Sequence, residues 1–399
     1  MTTMIDTPSV DRPTMPDVDV VVVGGRPAGS GTALVLARRG HRVLVLDREA
    51  RGSDTRSTLA LMRGGVDQLR RWGLHDRIVA TGTPPITSVT FDYAGARTRV
   101  RPAAPLLAPR RTVLDATLAG AAAAGGAEVR HGVRVTGLLR DPDGTVVGVR
   151  GRHADGSDLV VRSRVVVGAD GHTSLVARAV GAATTFVAPH ASGGTYAFLA
   201  GVETEGFTWM YGPGASAGII PTGGGLVCVF ASTNRERFVR DLRGDLVGTF
   251  ARLLSEASPA TARRLARARR VGRVHGFAAE PGHLRVPHGP GWALVGDAGA
   301  RVDPAAAHGI TAALRDAELL GRALDVGLRP DGDLDEALAG FHRTRDTLAR
   351  PLQDAAAAVA GHDLSMDDLQ RTHLSLSRVL KQEAALLDAV HAGRVARVA

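Results

Sequence analysis

The sequence predicts an α/β fold in which a nucleotide-binding domain is interrupted by a β-rich insert and followed by C-terminal helices. Three observations predict it. The β-branched apolar run Val18–Val23 passes through a Gly and Pro turn into a helical pattern and then a second apolar run, all within about 30 residues, the size of a β-α-β unit. Further apolar runs at 161–168 and 292–295 return to the same pattern after long intervals. Between and beside them, 86–101 and 194–230 alternate their side chains and carry Gly turns, as strands of a second sheet would.

In chain order, 1–17 mixes Thr, Asp and Pro and reads as a disordered lead-in. After the first strand, 29–39 places small and apolar residues at helical spacing and Gly40 closes the helix. Residues 42–46 form a second buried strand ending in Asp47, which completes a Rossmann-like unit. An Ala-rich helix is expected over 114–124, a single strand over 128–139, and a hairpin turn at Asp143-Gly144 with its second arm over 146–150. Helices are expected over 310–326, 334–358 and 366–398, the last opened by a capping pattern from Ser365 to Asp368. Residues 18–80, 111–180 and 280–330 then form a split nucleotide-binding domain. Residues 81–110 with 181–279 form the β-rich substrate domain, and 331–399 a helical segment.

Composition excludes several classes. The 399 residues are 44% hydrophobic and 22% charged, ordinary for a globular chain, and no apolar run reaches the ~20 residues of a membrane span. The N-terminus lacks a basic and apolar leader, so a cytoplasmic location is expected. The formal charge of +9 is spread along the chain as Arg, with Lys381 the only Lys and no aromatics interleaved, so nucleic-acid binding is not expected. The densest basic run, 263–270, reads as a solvated helix face. Cys228 stands alone in an apolar run and reads as a buried thiol. The fourteen His residues show no metal-ligand spacing, and no G-x-S-x-G occurs.

The chemistry lies in three separated motifs. Gly24-Gly25-Arg26-Pro27-Ala28-Gly29 follows a strand and opens a helix, where free N–H groups and the helix dipole attract a pyrophosphate. Arg26 stands where the middle Gly of this fingerprint usually lies, and can bring charge to the pyrophosphate instead. Asp47, about 20 residues on, suits the hydroxyls of an adenosine ribose and would repel a 2'-phosphate. The runs Val165-Val166-Val167-Gly168-Ala169-Asp170-Gly171 and Trp292-Ala293-Leu294-Val295-Gly296-Asp297-Ala298-Gly299 each end a buried strand with an acidic residue beside Gly.

Together, in this order, the motifs resemble the flavoprotein monooxygenases of the para-hydroxybenzoate hydroxylase type and the related geranylgeranyl reductases, over residues 17–325. The resemblance implies bound FAD. It places Asp297 on the ribityl chain, and Pro304 with His308-Gly309 at the pyrimidine side of the isoalloxazine. Reduced flavin carries negative charge there, which a helix N-terminus stabilises. It also implies that Asp170 supports the site from behind and that Arg111 reaches the phosphate region. Arg48 and Val135 join these as cofactor contacts. Departures are visible: Arg56, Ser57 and Thr58 stand where relatives often have an Arg beside the flavin, and the run after Asp297 lacks a His that many relatives carry.

Catalytic candidates are His308, Arg56 and Tyr211. His308 could act as an acid or simply pack at the helix entry. Tyr196, Phe198, Trp209 and Tyr211 could form an aromatic roof over a flat substrate or an ordinary sheet core. The resemblance implies a monooxygenase of secondary metabolism, hydroxylating a small aromatic or electron-rich substrate through a flavin hydroperoxide. NAD(P)H would visit transiently as donor, because no second nucleotide fingerprint lies between 171 and 291, or a separate flavin reductase would supply the electrons. The alternatives are a geranylgeranyl reductase-like reduction of a carbon-carbon double bond and a non-catalytic FAD-fold binding protein. A flavin halogenase is disfavoured, because its active-site Lys and Trp-x-Trp-x-Ile-Pro segment have no counterpart here.

Overall fold

The structure, a computed structural model, describes residues 17–242 and 244–392. Most of the expected lead-in and residues 393–398 of the last expected helix therefore lie outside the described residues.

The apolar runs become the centre of the first sheet. Strand β1 (Val18–Val23) lies between β2 (Val43–Asp47) and strand Asp158–Gly168, parallel to both, with Val20 opposite Val43 on one side and Val165 on the other. Trp292–Leu294 extends the sheet beyond 158–168, and Glu128–His131 beyond β2, again in parallel. Parallel strands are covered on both faces, which is why these runs show no polar alternation. Helix α1 (Pro27–Ala37) is buried along its whole length. Its small residues make this possible: a Cβ on Gly31 would stand 2.8 Å from the Trp72 ring and 2.9 Å from Ala317.

A second sheet of seven strands runs in the order Arg269–Ala278, Ser192–Ala200, Leu226–Asn234, Ala215–Thr222, Phe207–Gly212, Val89–Tyr93, Ala96–Val100. One face packs on helices Arg235–Leu242, Leu246–Ala257 and Pro259–Leu265. Its other face carries Tyr196, Phe198, Trp209 and Cys228 onto Leu59, Ala60, Leu106, Ala108 and Ala307. A small third sheet joins 184–187, 283–285 and 300–301. Helices Gly309–Gly327, Leu334–Gly361 and Met366–His391 close the molecule on the α1 side. Among the described residues no helix is long and apolar enough to cross a membrane, and no group of three His, Cys, Asp or Glu could hold a metal.

Three expectations need correction. The strand expected over 128–139 is two strands, Glu128–His131 and Arg134–Arg140, broken at Gly132 with φ +70°. The first pairs with β2 and the second turns away into the hairpin with Val146–Arg152. The apolar alternation continues through the kink, so periodicity cannot reveal it. Helix 114–124 begins earlier, at Arg111, which moves Arg111 from a preceding loop to the first turn. The basic run 263–270 is only partly helical: Arg263 and Arg264 lie on Pro259–Leu265, whereas Arg269 and Arg270 open an edge strand.

Candidate FAD site

All three motifs meet at the C-terminal ends of the parallel strands. A Cβ on Gly24, whose φ is +105°, would run into the carbonyl of Ala169, and one on Gly29 into the carbonyl of Gly24. These are positions where backbone meets backbone, and only Gly fits. The third motif is seated the same way, since a Cβ on Gly296 would stand 2.8 Å from the Ala28 Cβ. The Gly-rich turn is thus the contact point of stretches about 140 and 270 residues away, in the manner of a doubly wound sheet whose ligand lies beyond the strand ends.

At the first turn, Asp47 is locked from both sides. Its Oδ2 accepts from the Gly25 N–H at 2.6 Å and its Oδ1 from the Glu49 N–H at 2.7 Å. Each carboxylate oxygen keeps a further acceptor position for a hydroxyl group. Gly25, Arg26, Asp47, Glu49, Ser53 and His131 line one continuous cleft. Arg26 turns its guanidinium to Asp115 Oδ2 at 2.6 Å and to Ser53, while Arg111 holds both oxygens of the same Asp115 at 2.9 and 3.1 Å. Two guanidinium groups on one carboxylate leave a net positive charge beside the α1 N-terminus. That terminus has Pro27 in its first turn and no side-chain cap, so its leading N–H groups remain available.

Asp297 lies half-buried in a single 3-10 turn, Gly296–Ala298, and its carboxylate makes no hydrogen bond or ion pair among the described residues. Burial pushes its pKa above the usual carboxylate range, against the pull of Arg301, His172 and Arg111. Beyond it, Pro304–Ala306 forms another short turn, and Ala307 takes a left-handed conformation before His308. Helix Gly309–Gly327 then begins without a side-chain cap, and a Cβ on Gly309 would meet nothing within 4 Å. An uncapped helix start facing open space, an unpartnered carboxylate and a net-positive α1 turn are what the pyrimidine, ribityl and pyrophosphate parts of FAD require. The residues present fit the cofactor.

Other sequence candidates take different positions. Asp170 caps a short helix, its Oδ2 accepting from Leu175 N–H at 2.7 Å and Val176 N–H at 3.2 Å. The Val135 side chain is buried in the core on the far face of the sheet, and the cleft meets the sheet at His131. Arg48 is exposed and pairs with Glu49. The three catalytic candidates are not one constellation. His308 is buried with its Nε2 3.0 Å from Glu383 Oε2. Arg56 is exposed, near Tyr196 and His275, whose rings stack at 4.8 Å. Tyr211 stacks on Tyr93 at 5.2 Å and reaches His373 of the last helix, and burial raises its hydroxyl pKa far above normal.

Three carboxylates escaped sequence reasoning. Asp115 was visible only as an i, i+4 partner of Arg111. Asp303 accepts from Ser192 N–H at 2.8 Å, Ser192 Oγ at 2.6 Å and Ala305 N–H at 2.8 Å, tying the 304–309 segment to the second sheet. Glu383 had no signal at all.

With this geometry in place, comparison with known proteins is informative. The profile of the family described as FAD binding domain matches residues 17–356. Aklavinone 12-hydroxylase of Streptomyces peucetius is 30% identical over 224 residues, 51% of this chain and 44% of that protein. The chain thus spans less than half the length of that relative. Rifampicin monooxygenase of Streptomyces venezuelae is 30% identical over 85% of this chain and 70% of its own length. Digeranylgeranylglycerophospholipid reductase of Methanosarcina mazei is 29% identical over 94% and 92%. Among solved structures, a flavin-dependent brominase superposes with a TM-score of 0.79 at 20% identity, covering 92% of this chain and 93% of that one, a likeness of fold. The chain belongs to the FAD binding domain family, the flavin-dependent oxidoreductases related to monooxygenases.

Proposed function

We propose that the chain is an FAD-dependent monooxygenase acting on a small aromatic or electron-rich substrate, with NADH or NADPH as the electron source. The observation that carries this reading is the aromatic face of the second sheet. Tyr196, Phe198 and Trp209 pack over Leu59, Ala60 and Ala307, directly beside the turn that opens helix Gly309–Gly327. A flat apolar substrate held there would be desolvated next to the cofactor ring. Bound FAD supplies the redox chemistry, taking up electrons from the donor and activating oxygen. The chain's own residues do the rest. Asp47 binds the ribose, Arg26 and Arg111 offset pyrophosphate charge, Asp297 orients the ribityl chain, and the start of helix Gly309–Gly327 stabilises negative charge on the reduced ring. The aklavinone hydroxylase and the rifampicin monooxygenase support the reading by their names. A halogenase role is disfavoured because Lys381, the only Lys, is exposed on the last helix.

One observation favours a second reading, reduction of a carbon-carbon double bond: the archaeal reductase matches this chain end to end. The deciding experiment measures NADH and NADPH oxidation with a panel of aromatic substrates, in air and without oxygen. Substrate-dependent oxygen uptake supports the monooxygenase. Turnover that persists without oxygen, with a reduced product, supports the reductase and rejects the first reading.

A further inference from the structure

A cluster of buried charge lies behind the turn that opens helix Gly309–Gly327. His308, Arg315, Asp316 and Glu383 are each at most 3% exposed. Glu383 stands at its centre, on the last helix, Met366–His391, beyond the residues that the family profile matches. Its Oε2 lies 3.0 Å from His308 Nε2 and its Oε1 3.6 Å from Arg315 Nη1. Burial alone would raise its carboxyl, but His308 and Arg315 outweigh that and hold it at about 2. An ionised carboxylate can only accept, so His308 Nε2 donates and the ring is fixed in one orientation.

The residue so anchored follows a strained turn. Ala307 sits at φ +50°, ψ +32°, a left-handed conformation that an Ala adopts at a cost and keeps only when its surroundings hold it. Sequence neighbours offer little hold. Asp303 fixes the entry of the turn through Ala305, but His308 caps nothing with its side chain, and the Gly309 side of the turn is open. Ala306 packs on Leu352, Ala356 and Leu376, and the His308 imidazole adds the one polar tie from this turn to Glu383.

We propose that Glu383 is a positioning residue for the flavin end of the site: through its hydrogen bond to His308 it fixes the turn that aims the first N–H groups of helix Gly309–Gly327 at the bound ring. This rests on the FAD placement proposed above. The consequence is electronic. A helix start held on the pyrimidine edge favours reduced over oxidised flavin, and one that drifts favours it less. Glu383 therefore raises the reduction potential of the bound cofactor without touching it.

Two conservative variants separate this role from a purely ionic one toward Arg315. Glu383→Gln keeps the length and an acceptor oxygen for His308 but loses the charge. Glu383→Asp keeps the charge but retracts it by about one C–C bond, ~1.5 Å. Each full-length protein is loaded with FAD, its flavin affinity is titrated by fluorescence quenching, and its two-electron midpoint potential is measured against reference dyes. Positioning predicts that Glu383→Asp lowers the potential by about 30 mV, a tenfold loss in relative affinity for reduced flavin. Glu383→Gln would stay close to the wild-type potential. The reverse order, or two wild-type potentials, overturns the proposal while leaving the FAD site intact. Failure of the wild-type chain to bind FAD at all overturns both this proposal and the site it depends on.

Discussion

At the scale of single residues, the two motif aspartates that look alike in sequence do opposite physical work. Asp170 spends its carboxylate on two backbone N–H groups of a helix start. Asp170→Ala should therefore cost about 1 kcal/mol of stability, visible as a lower Tm. Asp297 is half-buried without a side-chain hydrogen bond among the described residues, and its carboxyl is raised above the normal range by desolvation. A carboxyl whose pKa is higher folded than unfolded weakens the fold wherever it must ionise. Asp297→Asn should accordingly raise the Tm of the FAD-free protein at pH 7 while weakening FAD binding about tenfold. Thermal melts and flavin titrations of both variants check this, and parallel losses of Tm in the two would contradict it. Gly29 gives a sharper case, because any side chain there collides with the Gly24 carbonyl; Gly29→Ala should abolish FAD binding in a flavin titration.

At the scale of elements, buried carboxylates tie helices together alongside the apolar core. Glu318 of helix Gly309–Gly327 accepts from Trp72 Nε1 at 2.8 Å, Gln68 Nε2 at 3.1 Å and Arg322 Nε at 2.6 Å, with His391 of the last helix 3.3 Å away. Burial by itself would raise its carboxyl, but the nearby His391 and the bonds from Trp72 and Arg322 outweigh it and leave it at about 2. An unfolded Glu titrates near ~4.3. The folded value is the lower one, so its contribution is complete above about pH 4.3 and fades as pH falls toward 2. Glu318→Ala should cost about 3 kcal/mol at pH 7, and its Tm difference from wild type should shrink below about pH 4. A difference that stays constant from pH 7 to pH 3 would contradict this linkage.

For the whole molecule, the decisive feature is that the second sheet must be held over one end of the cofactor site. Asp303, only 1% exposed, does this through Ser192 at the start of strand Ser192–Ala200 and Ala305 in the 304–306 turn. Asp303→Ala leaves those donors buried and unpaired, a cost of about 1 to 3 kcal/mol each. Turnover should fall by at least about tenfold, since a small misplacement of reacting groups is costly, while FAD affinity changes less because the cleft at Asp47 is remote. Steady-state rates set beside a flavin titration would test this; equal losses in both would count against it.

How much was legible in the sequence follows from the same physics. The β-α-β unit and the strands that carry the three motifs could be read directly. Strands covered on both faces must be continuously apolar, and Gly must stand where backbones touch. The kink at Gly132 was hidden because alternation runs through it. The partners that complete the site were hidden for another reason: Arg26 meets Asp115 from 89 residues away, Ser192 meets Asp303 from 111, and His308 meets Glu383 from 75. Local patterns record which residues must be buried and how the backbone must turn. Which remote carboxylate closes a given charge is decided only when helices and sheets pack, because an ion pair is selected by distance in space and leaves no period along the chain.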